Sequence, residues 1–126
     1  MSQTEVKYFT PEEAQRTLPL VRQIVGDILN HSFQIKNIAD LNFDNVDSEE
    51  KIEFLTSKIN SFIKELEDIG CIYKDWNFEI GIVDFPSIIN GEEVLLCWRS
   101  DEEDIIYYHG LDDGFIGRKL IQQENI

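Results

Sequence analysis

The sequence predicts an α+β fold: a long antiparallel helical hairpin, its first helix kinked at Pro19, packed on a small antiparallel β-meander of three to four strands. Three observations predict it. Apolar residues recur at spacings of three and four up to about residue 70. After that they fall in short strand-like runs. Two of those runs flank Asn90-Gly91, the strongest short hairpin signal a sequence carries. The 126 residues suit one domain, residues 1–126, with the helical hairpin over about 10–70 and the meander and C-terminal loop over about 71–126.

The first helix starts at Thr10-Pro11-Glu12-Glu13. Thr10 caps, Pro11 suits the first helical position and Glu13 completes a capping box. Ala14, Leu18, Val21, Val25, Ile28, Ser32, Ile35 and Ala39 then form one stripe, widened by Ile24, His31 and Ile38. Pro19 removes a backbone donor inside this helix and crowds the Gln15 carbonyl, which predicts the kink. Asn42 to Asp47 reads as a polar loop interrupted by Phe43 and Val46. Asp47-Ser48-Glu49-Glu50 offers a second capping box, and Ile52, Leu55, Ile59, Phe62, Leu66 and Ile69 follow as a second stripe. Gly70 is the natural C-cap.

At 1.5 Å per residue the first helix is about 46 Å long and the second about 33 Å. The first therefore overhangs and must bury its early stripe on the sheet or on a second copy of the chain. From this overhang we expect a homodimer.

Beyond Gly70, Cys71 to Lys74 reads as a short strand, Ile80–Ile89 and Glu92–Arg99 as the two arms of the hairpin, and Ile105–His109 as a further strand. Gly110 to Ile126 is loop-rich. With a two-residue turn at 90 and 91, Ile89 pairs with Glu92, Asp84 with Cys97 and Val83 with Trp98. Side chains alternate, so Val83, Phe85, Ile89, Val94, Leu96 and Trp98 share the core face. Ile82, Asp84, Pro86, Ile88, Glu93, Leu95, Cys97 and Arg99 share the other. Asp84 and Arg99 lie diagonally across this pair, within reach of a charge contact.

The next strand has two registers open to it. One sets His109 beside Asp84, Cys97 and Arg99; the other sets it on the core face near Trp98. The first would assemble a carboxylate, a thiol and an imidazole, a donor set for zinc or another divalent transition metal. The same groups serve acid–base or thiol chemistry. Without a metal, the bland alternative is an Asp84–Arg99 ion pair, a small buried cysteine and a backbone-bonded histidine. His31, on the flank of an apolar stripe, reads as a satisfied core histidine.

Composition excludes several functions. The 25 acidic against 11 basic residues give a net charge of −14. Such a chain lacks the cationic surplus that binds nucleic acid backbones or anionic membranes. The expected surface is a soluble one that repels its neighbours; the alternative is a dock for a basic protein partner. No apolar run approaches a membrane span, and the first residues carry no signal-peptide pattern, so we expect a cytoplasmic protein. Cys71 and Cys97 are then expected as reduced thiols. Neither C-x-x-C nor H-E-x-x-H occurs. Gly114 to Lys119 superficially resembles an anion-cradling loop but lacks the strand and helix that such loops join. Arg118 there is expected to answer Asp112-Asp113 or to bind a carboxylate. Tyr73, Trp76, Phe78, Tyr107 and Tyr108 read as core or partner surface.

Several segments together resemble a known family. They are Phe9-Thr10, Glu13-Ala14, Leu18-Pro19, Val21-Arg22, Lys74-Asp75, Gly81 to Pro86, Leu96-Cys97-Trp98, Glu102, His109 and Gly114 to Arg118. Over about residues 8 to 120 the chain resembles the uncharacterised family known as domain of unknown function 2203. It departs from the family pattern in carrying Tyr108 where a Trp is usual and Asp101-Glu102 where Gly-Glu is usual. The resemblance implies a small bacterial or archaeal cytosolic protein whose polar signature falls on Asp84, Cys97, His109 and Arg118. It brings no established activity. Two readings result. The first is a homodimeric structural or interaction module. The alternative is a metal-binding or small-site enzyme using Asp84, Cys97 and His109, with Arg99 or Arg118 orienting an anion.

Overall fold

A computed structural model describes residues 6–41, 46–75 and 77–122. Helices α1 (Pro11–Asp40) and α2 (Val46–Ile69) precede strands β1 (Ile72–Tyr73), β2 (Ile82–Ile89), β3 (Glu92–Arg99), β4 (Tyr107–Gly110) and β5 (Lys119–Leu120). The five strands lie in sequence order and every neighbouring pair is antiparallel. The architecture is the expected helical hairpin on a meander, with one strand more than the expected upper number. Lys119 and Leu120 are too few to show an alternation, and no sequence signal marks β5.

Both helix starts and stops have local causes. Thr10 and Glu13 exchange the two capping-box hydrogen bonds, at 3.0 and 2.9 Å. α1 continues through Pro19, which is exposed, so the Gln15 carbonyl deprived of its helical donor lies on the wet side. α2 already includes Asp47, so the expected capping box there is replaced by an acid inside the first turn, where it favours the helix dipole. Asn42, Phe43 and the rest of that connection lie outside the described residues, as does Trp76. At the other end Gly70 takes φ +110°, its N–H bonds the Glu67 carbonyl, and the Cys71 N–H bonds the Leu66 carbonyl. That is a Schellman stop, and it turns the chain directly into β1.

One core joins the layers. Ala14, Leu18, Val21, Ile24, Val25 and Ile28 of α1 meet Ile59, Ile63 and Leu66 of α2 and Val83, Phe85, Ile89, Val94, Leu96 and Trp98 of the sheet. Ile63 joins this core although the expected α2 stripe omits it. The early stripe of α1 is therefore buried within its own chain, which removes the overhang as a reason for a second copy. The α1 stripe fades towards its end, where Ala39 is exposed. No helix is long and apolar enough to cross a membrane among the described residues.

The turn at Asn90-Gly91 has φ of 54° and 83°, the double positive value of a primed hairpin. It fixes the β2–β3 register as expected: Val83 opposite Trp98, Asp84 opposite Cys97, Ile89 opposite Glu92. Beyond β1, the free edge of β2 is met by the chain just before α1. The Phe9 N–H donates to the Pro86 carbonyl at 2.7 Å, and Ser87 Oγ donates to the Phe9 carbonyl at 2.6 Å.

Gly81 opens β2 where it passes α1. A Cβ added there would stand 2.2 Å from Val25 Cγ1, and Val25 is a stiff, buried side chain. Gly81→Ala should therefore cost about 1–3 kcal/mol of stability, the usual range for overpacking. Urea denaturation reads this as a lower midpoint with little change in slope; an unchanged midpoint would contradict the close approach of β2 to α1.

Candidate functional site

Three strands meet on the sheet face turned away from the helices. Asp84 on β2 stands opposite Cys97 on β3. On β4, His109 pairs with Leu95 and Tyr107 with Cys97. This is the register that sets His109 on the face of Asp84 and Cys97, and the core-face alternative is excluded. All three residues are buried, at 1%, 0% and 3% exposure. One ligating atom from each lies within 4.8 Å of the others.

Hydrogen bonds orient the group. His109 Nδ1 lies 2.8 Å from the Gly110 carbonyl, which can only accept, so Nδ1 carries the proton. Nε2 faces the carboxylate, 3.3 Å from Asp84 Oδ1 and 3.2 Å from Oδ2, and in metal-free protein a second proton lies between the two. The Cys97 thiol donates to Asp84 as well. Lys74, just past β1, places its Nζ 3.9 Å from Asp84 Oδ2. Burial pushes the Asp84 carboxyl above the ordinary carboxylate range, and His109, Cys97 and Lys74 oppose that rise. Burial, reinforced by the Asp84 charge, pushes the Cys97 thiol up to about 12; Arg118, within hydrogen-bonding reach of the sulfur, opposes it.

The cluster opens on a cavity of about 260 Å³. Lys74 and Ile82 line it beside the three buried groups, and Leu111, Gly114 and Phe115 of the segment after β4 line the rest.

The two arginines behave differently from expectation. Arg99 does not contact Asp84. Its guanidinium forms a two-point pair with Asp101, at 2.6 and 2.7 Å, and lies over the Phe115 ring. A side chain only two residues away outcompetes a diagonal partner that is already engaged. Arg118 answers neither Asp112 nor Asp113. It pairs with Glu102 at 2.9 and 2.8 Å, largely buried, with its guanidinium 4.2 Å from the Tyr107 ring centre and 4.0 Å from that of Phe115. Asp113 instead accepts from the Gly110 N–H and packs where a Cβ on Gly110 or Gly117 would fall, at 2.7 Å from either. A carboxylate thus occupies the turn that superficially resembled an anion cradle. His31 is satisfied as expected: Nδ1 is 2.7 Å from the Asp27 carbonyl, and the ring meets Phe62 edge-on.

Lys74 and Glu102 matter to this site, and residue patterning alone passed over both. Lys74 follows Ile72 by two, and Ile72 pairs with Asp84, so alternation along β1 points to it once that register is known. Glu102 was visible only as a family position. The departures at Tyr108 and Asp101 leave the register intact: Tyr108 pairs with Leu96 and Lys119, and Asp101 holds Arg99.

Fold and site together define a class: an α+β protein with a two-helix layer on one sheet face and a buried carboxylate–thiol–imidazole cluster on the other. The chain belongs to the family of uncharacterized conserved proteins DUF2203, whose model matches residues 7–121. No curated protein and no solved structure matches it.

Two outcomes follow from the buried charge. With its thiol at about 12, and Cys71 likewise pushed up to about 12 by burial, each cysteine should react with Ellman's reagent at pH 7 about a thousandfold more slowly than a free thiol near 8.5. Rapid release of the coloured thiolate from folded protein would contradict that. In metal-free protein at pH 7, Asp84→Asn should raise stability by on the order of 1 kcal/mol, because burial holds the carboxyl above its ordinary range and its ionised form therefore costs stability. A lower melting temperature would show that the carboxylate holds the fold together.

Proposed function

We propose that this protein binds one divalent transition metal, with zinc the best match, between Asp84, Cys97 and His109, and that an open coordination position faces the cavity. The observation that carries this is the convergence of one oxygen, one sulfur and one nitrogen donor within 4.8 Å in a buried site. Donors on a single tetrahedral zinc stand roughly 3.3–3.8 Å apart, given metal–ligand distances of about 2.0–2.3 Å. Asp84 Oδ2 and His109 Nε2, at 3.2 Å, already have nearly that spacing. The Gly110 carbonyl on Nδ1 supplies the outer hydrogen bond that metal-binding histidines characteristically make, and it selects Nε2 as the ligating atom. Three protein ligands with a fourth position free is the pattern of catalytic rather than structural zinc.

Thiol chemistry is the weaker use of the same residues. A nucleophilic cysteine needs its thiol pulled down, and Cys97 is pushed up to about 12. A bound divalent ion reverses that imbalance, since a coordinating thiol loses its proton outright. The interaction-module reading loses the overhang of α1 as a reason for a second copy, because the early stripe of α1 is buried in its own chain's core.

Protein purified without chelator should carry about one metal per chain by elemental analysis. Added zinc should raise the melting temperature of stripped protein, since a ligand at a hundred times its Kd stabilises by about 2.7 kcal/mol. Cys97→Ser and His109→Ala should each abolish the metal-dependent shift while Arg99→Gln keeps it. Protein without stoichiometric metal, whose melting is indifferent to zinc and cobalt, would end this reading.

A further inference from the structure

We infer that the open position of this centre takes the carboxylate of a small monoanion with a short apolar tail, and that Lys74 is its counter-charge. The inference rests on the metal reading and adds the class of ligand. Charge comes first. A divalent ion is neutralised by the Asp84 carboxylate and the Cys97 thiolate, and His109, with its proton on Nδ1, adds nothing. Lys74 then leaves the site with one surplus positive charge. A monoanion restores neutrality, whereas a dianion would leave excess negative charge in a chain already at −14.

Lys74 is placed for this role. Its Nζ stands 3.9 Å from Asp84 Oδ2, beyond hydrogen-bond range, and its side chain is 45% exposed beside the cavity it lines. Among the described residues no partner comes closer, so its ammonium donors remain available to a ligand. Arg118 is a poorer choice, because Glu102 holds its guanidinium at 2.8 and 2.9 Å and it does not line the cavity.

Size and lining set the rest. A volume of about 260 Å³ lies below the roughly 300–1,000 Å³ of drug-sized ligand pockets and far exceeds the ~30 Å³ share of one water. It suits a ligand of a few non-hydrogen atoms. Asp84, Cys97, His109 and Lys74 supply the polar part of the lining; Ile82, Leu111 and Phe115 supply the apolar part. A polar head with a short hydrocarbon tail fits both parts.

Cobalt(II)-loaded protein tests this, because its visible spectrum reports the coordination sphere. Acetate, propionate and butyrate should each shift the bands, each added methylene tightening binding by up to about fourfold. Inorganic phosphate should bind more weakly than propionate. At saturating cobalt, Lys74→Met should weaken propionate by about five- to tenfold. Failure to take up cobalt overturns the metal centre and this inference with it. Cobalt uptake with bands indifferent to carboxylates, with phosphate binding as tightly as propionate, or with propionate affinity unaffected by Lys74→Met overturns this inference and leaves the centre standing.

Discussion

The two-residue turn at Asn90 and Gly91 is the constraint on which the site depends. Both residues hold positive φ, a conformation that asparagine and glycine tolerate and branched residues do not. No residue is spare in the turn, so the β2–β3 register has no freedom. One register decides two things together. It sends Val83, Phe85, Leu96 and Trp98 into the core, and it sets Asp84 directly opposite Cys97 on the other face. A slip by one residue on either strand would carry that strand's core set outward and separate the carboxylate from the thiol. The hydrophobic core therefore protects the polar pair: the large burial on one face makes any other pairing on the second face prohibitive.

The imidazole is held by a different device. β3 and β4 are joined by residues 100–106, and that connection is fastened to α1. Gln15 accepts from the Ile105 N–H and donates to Asp104, and Arg22 donates to the carbonyls of Glu102 and Glu103. Glu102 is the junction. Its carbonyl also receives the Trp98 indole N–H, and its carboxylate receives the Arg99 N–H and the Arg118 guanidinium. Through Arg118 the junction reaches Phe115, which lines the cavity over the cluster. One residue, through its carbonyl and its carboxylate, thus connects the helix layer, the core tryptophan and the wall of the site. Its position explains how the chain tolerates Asp101 where the family carries glycine. Asp101 is satisfied by Arg99 and leaves Glu102 where it is needed.

These two devices differ in how far they can be read from residues alone. The turn, the α1 capping box and the Gly70 stop are local, written within four or so residues, and the alternation around 90 and 91 predicts every β2–β3 pair. The helical stripes are legible for the same reason, apart from Ile63 and the weak end of α1. The β3–β4 register is not local. Gln15 and Arg22 set it across some 80 to 90 positions, and no pattern near residue 100 records that. The partners of Arg99 and Arg118 are not legible for a related reason. Spacing on a sheet identifies which side chains can meet, but it cannot rank a diagonal carboxylate against a nearer one. The face of Lys74 rests on only two paired residues, Ile72 and Tyr73.

Net charge adds a last consideration. At −14 the surface attracts cations and opposes the approach of anions, most strongly those of high charge. Screening confines each charge to about 8 Å at physiological ionic strength, so groups at the site outweigh those elsewhere. Within that range the cluster has Asp84 and Cys97 as potential anions, Arg118 already paired with Glu102, and Lys74, whose ammonium has no partner closer than Asp84 among the described residues. On the proposed reading, a divalent ion would be drawn in by the surface and held by the cluster. An anion would enter against the surface and be rewarded only at the end of its path, by the metal and by Lys74 together. Such a site discriminates by charge before it discriminates by shape. The acidity of the chain, which disfavours nucleic acid phosphates as ligands, favours a singly charged ligand on that reading.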